Sequence, residues 1–218
     1  MSKTTPLGNL PYPQPADLAD VPVHLQSLAE AVDGRTVLRF ADAATRDARV
    51  TSPVAGMVAW LDNPGRLFHY AAGHWSQVTP APALRANYDG GTTVSTTYTE
   101  TLTDAVGDPM PTAFTAPVSG KVIVTVGAYM FATAAAGASG TPVGYMAATI
   151  RQGTTVTLAA ADERAAMAGG PTRASSTTQF LVTGLTPGGA YTATPCYRAS
   201  AATTTANYDN RFVRVDPA

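Results

Sequence analysis

Cysteine is nearly missing from this sequence: Cys196 stands alone among 218 residues. No internal disulfide can form, so packing and hydrogen bonding must hold the chain together. The single thiol lies in the alternating stretch 190–198, where a small buried side chain is expected rather than a nucleophile. Lysine is almost as scarce, with two residues against twelve arginines, and charged residues of all kinds make up 13%. Ordinary soluble domains carry about 25%. At a net charge of −1 the chain lacks the basic face of a nucleic-acid binder. No apolar run reaches the roughly 18 residues of a membrane helix. The opening MSKTTPLGNL lacks the apolar core of a signal peptide. A soluble chain made in the cytoplasm is expected, without nucleic acid or membrane insertion.

Catalytic signatures are missing too. G-x-S-x-G, H-E-x-x-H, P-loop and Cys-cluster patterns do not occur. The histidines are His24, His69 and His74. The last two flank the Ala71–Gly73 turn and could approach across a hairpin, but a metal site needs further ligands, and none is evident nearby. Asp162 and Glu163 are adjacent and therefore point apart, which does not suit an acid/base pair. Asp89, Asp104 and Asp108 sit in Gly/Pro-rich loops without a calcium-loop signature. Neither a cofactor, a metal site nor catalysis is expected.

Thr, Ser, Ala and Gly take the place of the missing charges, a composition that favours strands and turns. The N-terminal stretch, with Pro6, Pro11, Pro13 and Pro15, can be neither helix nor central strand and is expected to lie extended. In DVPVHLQSLAEAVDG, Asp20 can cap a helix, Pro22 fits its first turn and Gly34 can close it. Val21, Leu25, Leu28 and Val32 fall at heptad spacing. About twelve residues are marginal for an isolated helix. With no adjacent apolar segment to cover it, this helix is expected to self-associate. Residues 37–80 predict a small β unit: a short strand at 37–40, a brief helix capped by Asp42, then three strands at 56–61, 66–70 and 74–78. Residues 81–91, APALRANYDGG, carry the Pro and Gly of a linker. From 92 to 218 the pattern is all strand and turn. Strands are expected at 94–100, 121–131, 143–151, 156–160, 178–182, 190–198 and 210–215. That spacing predicts a sandwich or jelly roll.

One of these strands is unusual. In FTAPVSGKVIVTVGAYMFATAA the even positions Val122, Val124, Val126, Ala128 and Met130 form a continuous apolar face. The other face should be polar on a strand buried on one side, yet it holds Ile123, Tyr129 and Phe131. Something is expected to cover it, either a loop of the same chain or another subunit.

FTAPVSGKVIVTVGAYMF resembles the first core strand of C1q/TNF-like jelly rolls. GLTPGGAYTATPCYRA followed by NRFVRVDP is similar to the closing strands of jelly-roll tips on actinobacteriophage minor tail proteins. LPYPQPADLADVPVHLQSLAEAVD and the unit FADAATRDARV…GMVAWL…RLFHY…GHW resemble segments of the same tail and fibre proteins. The resemblance implies a homotrimeric tail fibre or tip, made in the host cytoplasm and carried on the virion tail. Residues 1–36 would then be a tail-attachment segment, engaging other tail or baseplate proteins, with a short coiled-coil helix. Residues 92–218 would be the jelly-roll tip that binds a host-surface glycan. Val21, Leu25, Leu28 and Val32 would line the three-fold axis, with Ile123, Tyr129 and Phe131 buried between subunits. Receptor binding is expected on the longer loops at 133–144, 161–176 and 199–209, where Tyr145, Arg164, Arg173 and Tyr208 offer aromatic faces and planar donors. Two other functions stay open: a passive virion or decoration protein, and a cell-surface polysaccharide depolymerase.

Overall fold

The computed structural model describes residues 3–4, 10–14, 20–33, 36–78 and 80–218. The chain divides into two compact units, Met1–Thr79 and Pro80–Ala218.

In the first unit, β1 (Lys3–Thr4) pairs antiparallel with β2 (Pro11–Tyr12). The helix α1 (Val21–Asp33) follows, and the Asp20 carboxylate accepts from the Val23 amide at 3.2 Å, as an N-cap should. The closing position foreseen at Gly34 lies outside the described residues. The sequence offers this helix no apolar neighbour, but the structure supplies one. Extended residues 10–13 and the helix line an apolar groove of 350 Å³ that includes Val21, Leu25 and Leu28. The stripe still faces outward, with Val21 62% and Leu25 61% exposed, whereas Val32 is half-buried.

β3 (Val37–Phe40) joins the expected three-stranded unit as a fourth, parallel edge, beside β4 (Val58–Leu61), β5 (Arg66–Ala71) and β6 (His74–Gln77). A parallel neighbour needs a long crossover, and α2 (Ala43–Arg49) lies within it. Asp42 caps this helix, its carboxylate accepting from the Thr45 amide at 2.7 Å. The buried Arg46 guanidinium stacks 4.6 Å from the Trp75 ring centre and pairs with Asp47. Among the described residues of this unit few apolar side chains are buried, chiefly Ala59 and Leu61.

The second unit is a β-sandwich of two five-stranded antiparallel sheets. Its strands are β7 (Ala83–Asn87), β8 (Gly91–Thr93), β9 (Thr112–Thr115), β10 (Val122–Ala134), β11 (Val143–Gln152) and β12 (Thr155–Leu158). They continue with β13 (Ala166–Gly169), β14 (Ala174–Val182), β15 (Ala190–Ala199) and β16 (Thr204–Pro217). The front sheet runs β14-β10-β16-β7, with β8 also on β16; the back sheet runs β12-β11-β15-β9, with β13 also on β11. Val122, Val124, Val126, Ala128 and Met130 of β10 are buried against Met146, Ala148 and Ile150 of β11 and Ala193 and Tyr197 of β15. Each fully buried valine or isoleucine there contributes about 1.5–3 kcal/mol.

Four expectations are corrected. The 81–91 linker contains β7, which pairs with β16 from Arg211↔Asn87 to Val215↔Ala83. Pro80, Pro82 and the glycines bound this edge strand rather than dissolve it. Residues 94–100 form no strand; they join the back sheet through a bridge, Thr99↔Tyr197, a bond from the Ala199 amide to the Ser95 carbonyl at 2.7 Å and an ion pair of Glu100 with Arg151. The 161–176 loop holds one 3-10 turn, Asp162–Arg164, and then β13 and the start of β14. The 199–209 loop is mostly β16, so Tyr208 is a strand residue.

Candidate functional site

Each sheet of the sandwich has an outer face, and the two are treated differently. Behind the back sheet, Ala147, Thr149, Thr194 and Cys196 point outward yet are buried. Segments 95–101 and 159–165 cover them. The Thr99 amide and carbonyl exchange bonds with Tyr197 at 2.9 and 2.8 Å, and the Ala160 amide donates to Thr149 Oγ1 at 3.2 Å. Arg198 forks onto Asp162, and the Tyr98 hydroxyl donates to the same carboxylate at 3.0 Å. The Arg198 guanidinium lies over the Tyr145 ring, 3.9 Å from its centre. These contacts hold the Asp162 carboxyl below its ordinary value, through Arg198 first. Arg198 is raised for the same reason. Desolvation, then Asp162, raises the Tyr98 phenol. The Cys196 thiol is buried 3.2 Å from Thr149 Oγ1, and burial raises its pKa. This face is closed by its own chain.

The front sheet leaves its outer face partly open, and a β-bulge shapes it. Asn210, at φ 47°, sits where the β10–β16 register shifts between Gly127 and Tyr129. Asn tolerates that left-handed backbone better than most residues. The extra residue changes which side chains of β16 point out: Phe212 and Arg214 after the bulge, Asp209 and Asn207 before it. It also turns both Tyr208 and Arg211 inward, where they are buried. Arg211 donates to both oxygens of Asp108 at 2.7 and 2.8 Å, and to the carbonyl of Asp89 at 3.0 Å. A buried ion pair thus anchors the bulge to the 88–111 segment. Gly127 lies opposite Phe212, and a Cβ there would stand 2.6 Å from its ring. A side chain at 127 would therefore push the ring off the sheet.

Two hollows flank the half-buried Tyr129. One, of 210 Å³, is lined by Tyr129, Phe212, Asn210, Ser175 and Thr177. The other, of 250 Å³, is lined by Tyr129, Phe131, Arg173, Asn207, Asp209 and Asp104. The Arg173 guanidinium sits 4.8 Å over the Phe131 ring, and Asp209 is fixed by accepting from the Asn210 amide at 2.8 Å. Aromatic faces beside carboxylates, amides, hydroxyls and a guanidinium can hold a ligand that is apolar on one side and rich in hydroxyls on the other.

Of the four expected receptor residues, only Arg173 lines these hollows with its side chain exposed. Tyr145 is occupied by Arg198 on the back sheet. Arg164 bonds Glu163 at 2.9 Å and the Ala159 carbonyl at 3.0 Å. Tyr208 is 1% exposed and cannot meet a receptor. Its hydroxyl accepts from the Tyr145 amide at 3.0 Å and lies 2.9 and 2.8 Å from the Tyr145 and Arg198 carbonyls, and burial raises its pKa. Ile123, Tyr129 and Phe131 all stand half-buried on the front face. Phe212, Asn207, Asp209 and Asn210 escape sequence reasoning, because they reach Tyr129 from a strand about eighty residues onward. The aromatic Phe212 in an alternating stretch was the available signal. His69 faces Ser76 and His74 faces Ala71 in the first-unit ladder. Among the described residues, no three His, Cys, Asp or Glu side chains come together to hold a metal.

No protein-family model matches the sequence, and no curated protein matches it. Among solved structures, the chain is similar to the CBM22-1 xylan-binding domain of Paenibacillus barcinonensis Xyn10C. The match is 10% identical, covers 62% of this chain and 87% of that one, and has a TM-score of 0.27. At that score the likeness carries no argument about this chain.

Proposed function

We propose that this chain is a receptor-binding protein of the tail-fibre type that holds a cell-surface glycan on the open face of its front sheet. The observation that carries this reading is the grouping of Tyr129, Phe131 and Phe212 with Arg173, Asn207 and Asp209 around two adjoining hollows. Those polar groups suit a wet ligand site better than a dry subunit interface, which disfavours charge at its centre. Tyr129 and Phe131 are accordingly assigned to the ligand rather than to a trimer contact. The homotrimer remains part of the proposal, with α1 as its surface: Val21 and Leu25 stay exposed along a heptad seam. The number three comes from the resemblance to tail-fibre tips, as do the virion-tail location and attachment through residues 1–36.

The test is retention of the purified protein on envelope fractions of actinobacteria, the hosts that the resemblance implies. Wild type should be retained, and the double variant Tyr129→Ala/Phe212→Ala should wash through with unchanged melting. Retention of that variant would move the site elsewhere. A wild type that is not retained would favour a passive structural role. One observation favours a hydrolytic reading instead: Asp104 and Asp209 line the same hollow. Release of reducing ends from the retained envelope would establish it.

A further inference from the structure

We infer that the front-face site takes a neutral oligosaccharide of at least two sugar units, seated one on each side of Tyr129. This rests on the carbohydrate reading above and adds two statements to it, one about length and one about charge.

Length follows from the shape of the site. The hollows measure 210 and 250 Å³ and share Tyr129 as their common wall. Either alone is smaller than the roughly 300–1,000 Å³ that takes a drug-sized ligand, and together they enter that range. Each has its own aromatic, Phe212 on one flank and Phe131 on the other. Each also has its own polar groups. Asn210, Ser175 and Thr177 serve the first, and Asn207, Asp209 and Asp104 the second. One sugar ring fills one hollow and leaves the other aromatic uncovered, whereas two linked rings engage both.

Charge follows from the groups that line it. The first hollow has no charged side chain. The second has two carboxylates, Asp104 and Asp209, against one guanidinium. That guanidinium is already stacked on Phe131. A uronate or sialate carboxylate entering here meets like charge, which is repulsive at contact distance even in water. Sugar hydroxyls donate hydrogen bonds to the Asp104 and Asp209 carboxylates, and Asn207 offers an amide able to donate and accept.

The experiment is calorimetric titration of the whole protein with three kinds of probe. These are methyl glycosides of glucose, galactose and mannose, the corresponding neutral trisaccharides, and trigalacturonate. At least one trisaccharide should bind about tenfold or more tightly than its own methyl glycoside, and about tenfold more tightly than trigalacturonate. Phe212→Ala should bring that trisaccharide down to the level of its monosaccharide. Asp104→Asn/Asp209→Asn should narrow the gap to trigalacturonate. Equal binding of mono- and trisaccharide overturns the length inference, and trigalacturonate matching the best neutral probe overturns the charge inference. If every probe fails while the envelope retains the protein, the neutral-hexose inference falls and the carbohydrate reading stands. If the envelope fails as well, both fall.

Discussion

Replacing Asp108 by Asn should unfold the sandwich far more readily than a change in one exposed-segment residue ordinarily does. Asp108 and Arg211 have side chains 3% and 0% exposed, and one guanidinium nitrogen bonds both carboxylate oxygens. The same carboxylate accepts from the Leu102 amide at 3.1 Å. Tyr197, its hydroxyl 3.2 Å from Arg211, completes the group. The amide keeps the shape but removes the charge, leaving the guanidinium buried and uncompensated. Breaking such a pair costs about 3–5 kcal/mol. At about 4 °C per kcal/mol for a unit of this size, a fall in Tm of roughly 12–20 °C is expected. Both tryptophans, Trp60 and Trp75, belong to the first unit. Their fluorescence melt should stay put while near-UV tyrosine signals from Tyr197 and Tyr208 melt early. A second variant, Asp108→Leu/Arg211→Met, removes both charges and should recover most of the loss. A cost below about 1 kcal/mol for Asp108→Asn, or a double variant as weak as the single, would refute the reasoning.

Other consequences can be checked alongside. Tyr208→Phe removes the hydroxyl that joins β16 to Tyr145 and Arg198, and should cost about 1–3 kcal/mol because buried partners lose their bond; an unchanged chemical denaturation midpoint contradicts it. The Asp162 carboxyl is held below its ordinary 3.8 by Arg198, so the pair stabilises at pH values above 3.8. Its contribution should be lost as pH falls below that value. Half-exposed as Asp162 is, the effect is about 1 kcal/mol or less. Melts of wild type and Asp162→Asn should therefore differ slightly at neutral pH and draw together as pH falls below 3.8, and a gap that does not shrink with falling pH refutes the assignment. Leu25→Asp/Leu28→Asp should convert a trimer to a monomer by light scattering, while a wild-type monomer of 22.4 kDa removes the trimer altogether.

Much of the sandwich could be read from β10, because period-two alternation of Val122, Val124 and Val126 needs only local sequence. β7 escaped because Pro and Gly at both ends of a five-residue edge strand look like a linker, and its partner lies over a hundred residues away. The first half of β16 escaped for another reason. Its inward residues are Thr204, Ala206 and Tyr208, too small and polar at first to read as a core face. The bulge at Asn210 then changes the alternation mid-strand. The site shared this fate. The second apolar face of β10 was legible, and Tyr129 and Phe131 with it. What stands beside them was not, since Asn207, Asp209 and Phe212 arrive through strand pairing and a bulge. Arg173 was legible as an exposed donor, whereas Tyr208 was misplaced because its strand looked like a loop.

The front sheet is the face of the sandwich that should meet the ligand. Amide chemical-shift mapping, with a soluble fragment of the retained envelope polysaccharide titrated into the labelled protein, tests this most directly. Perturbations should gather at Gly127–Phe131, Arg173–Thr177 and Asn207–Phe212 and stay small around Tyr145 and Arg164. Perturbations centred on the back-sheet cover, at 95–101 and 159–165, with the front sheet silent, would contradict the account.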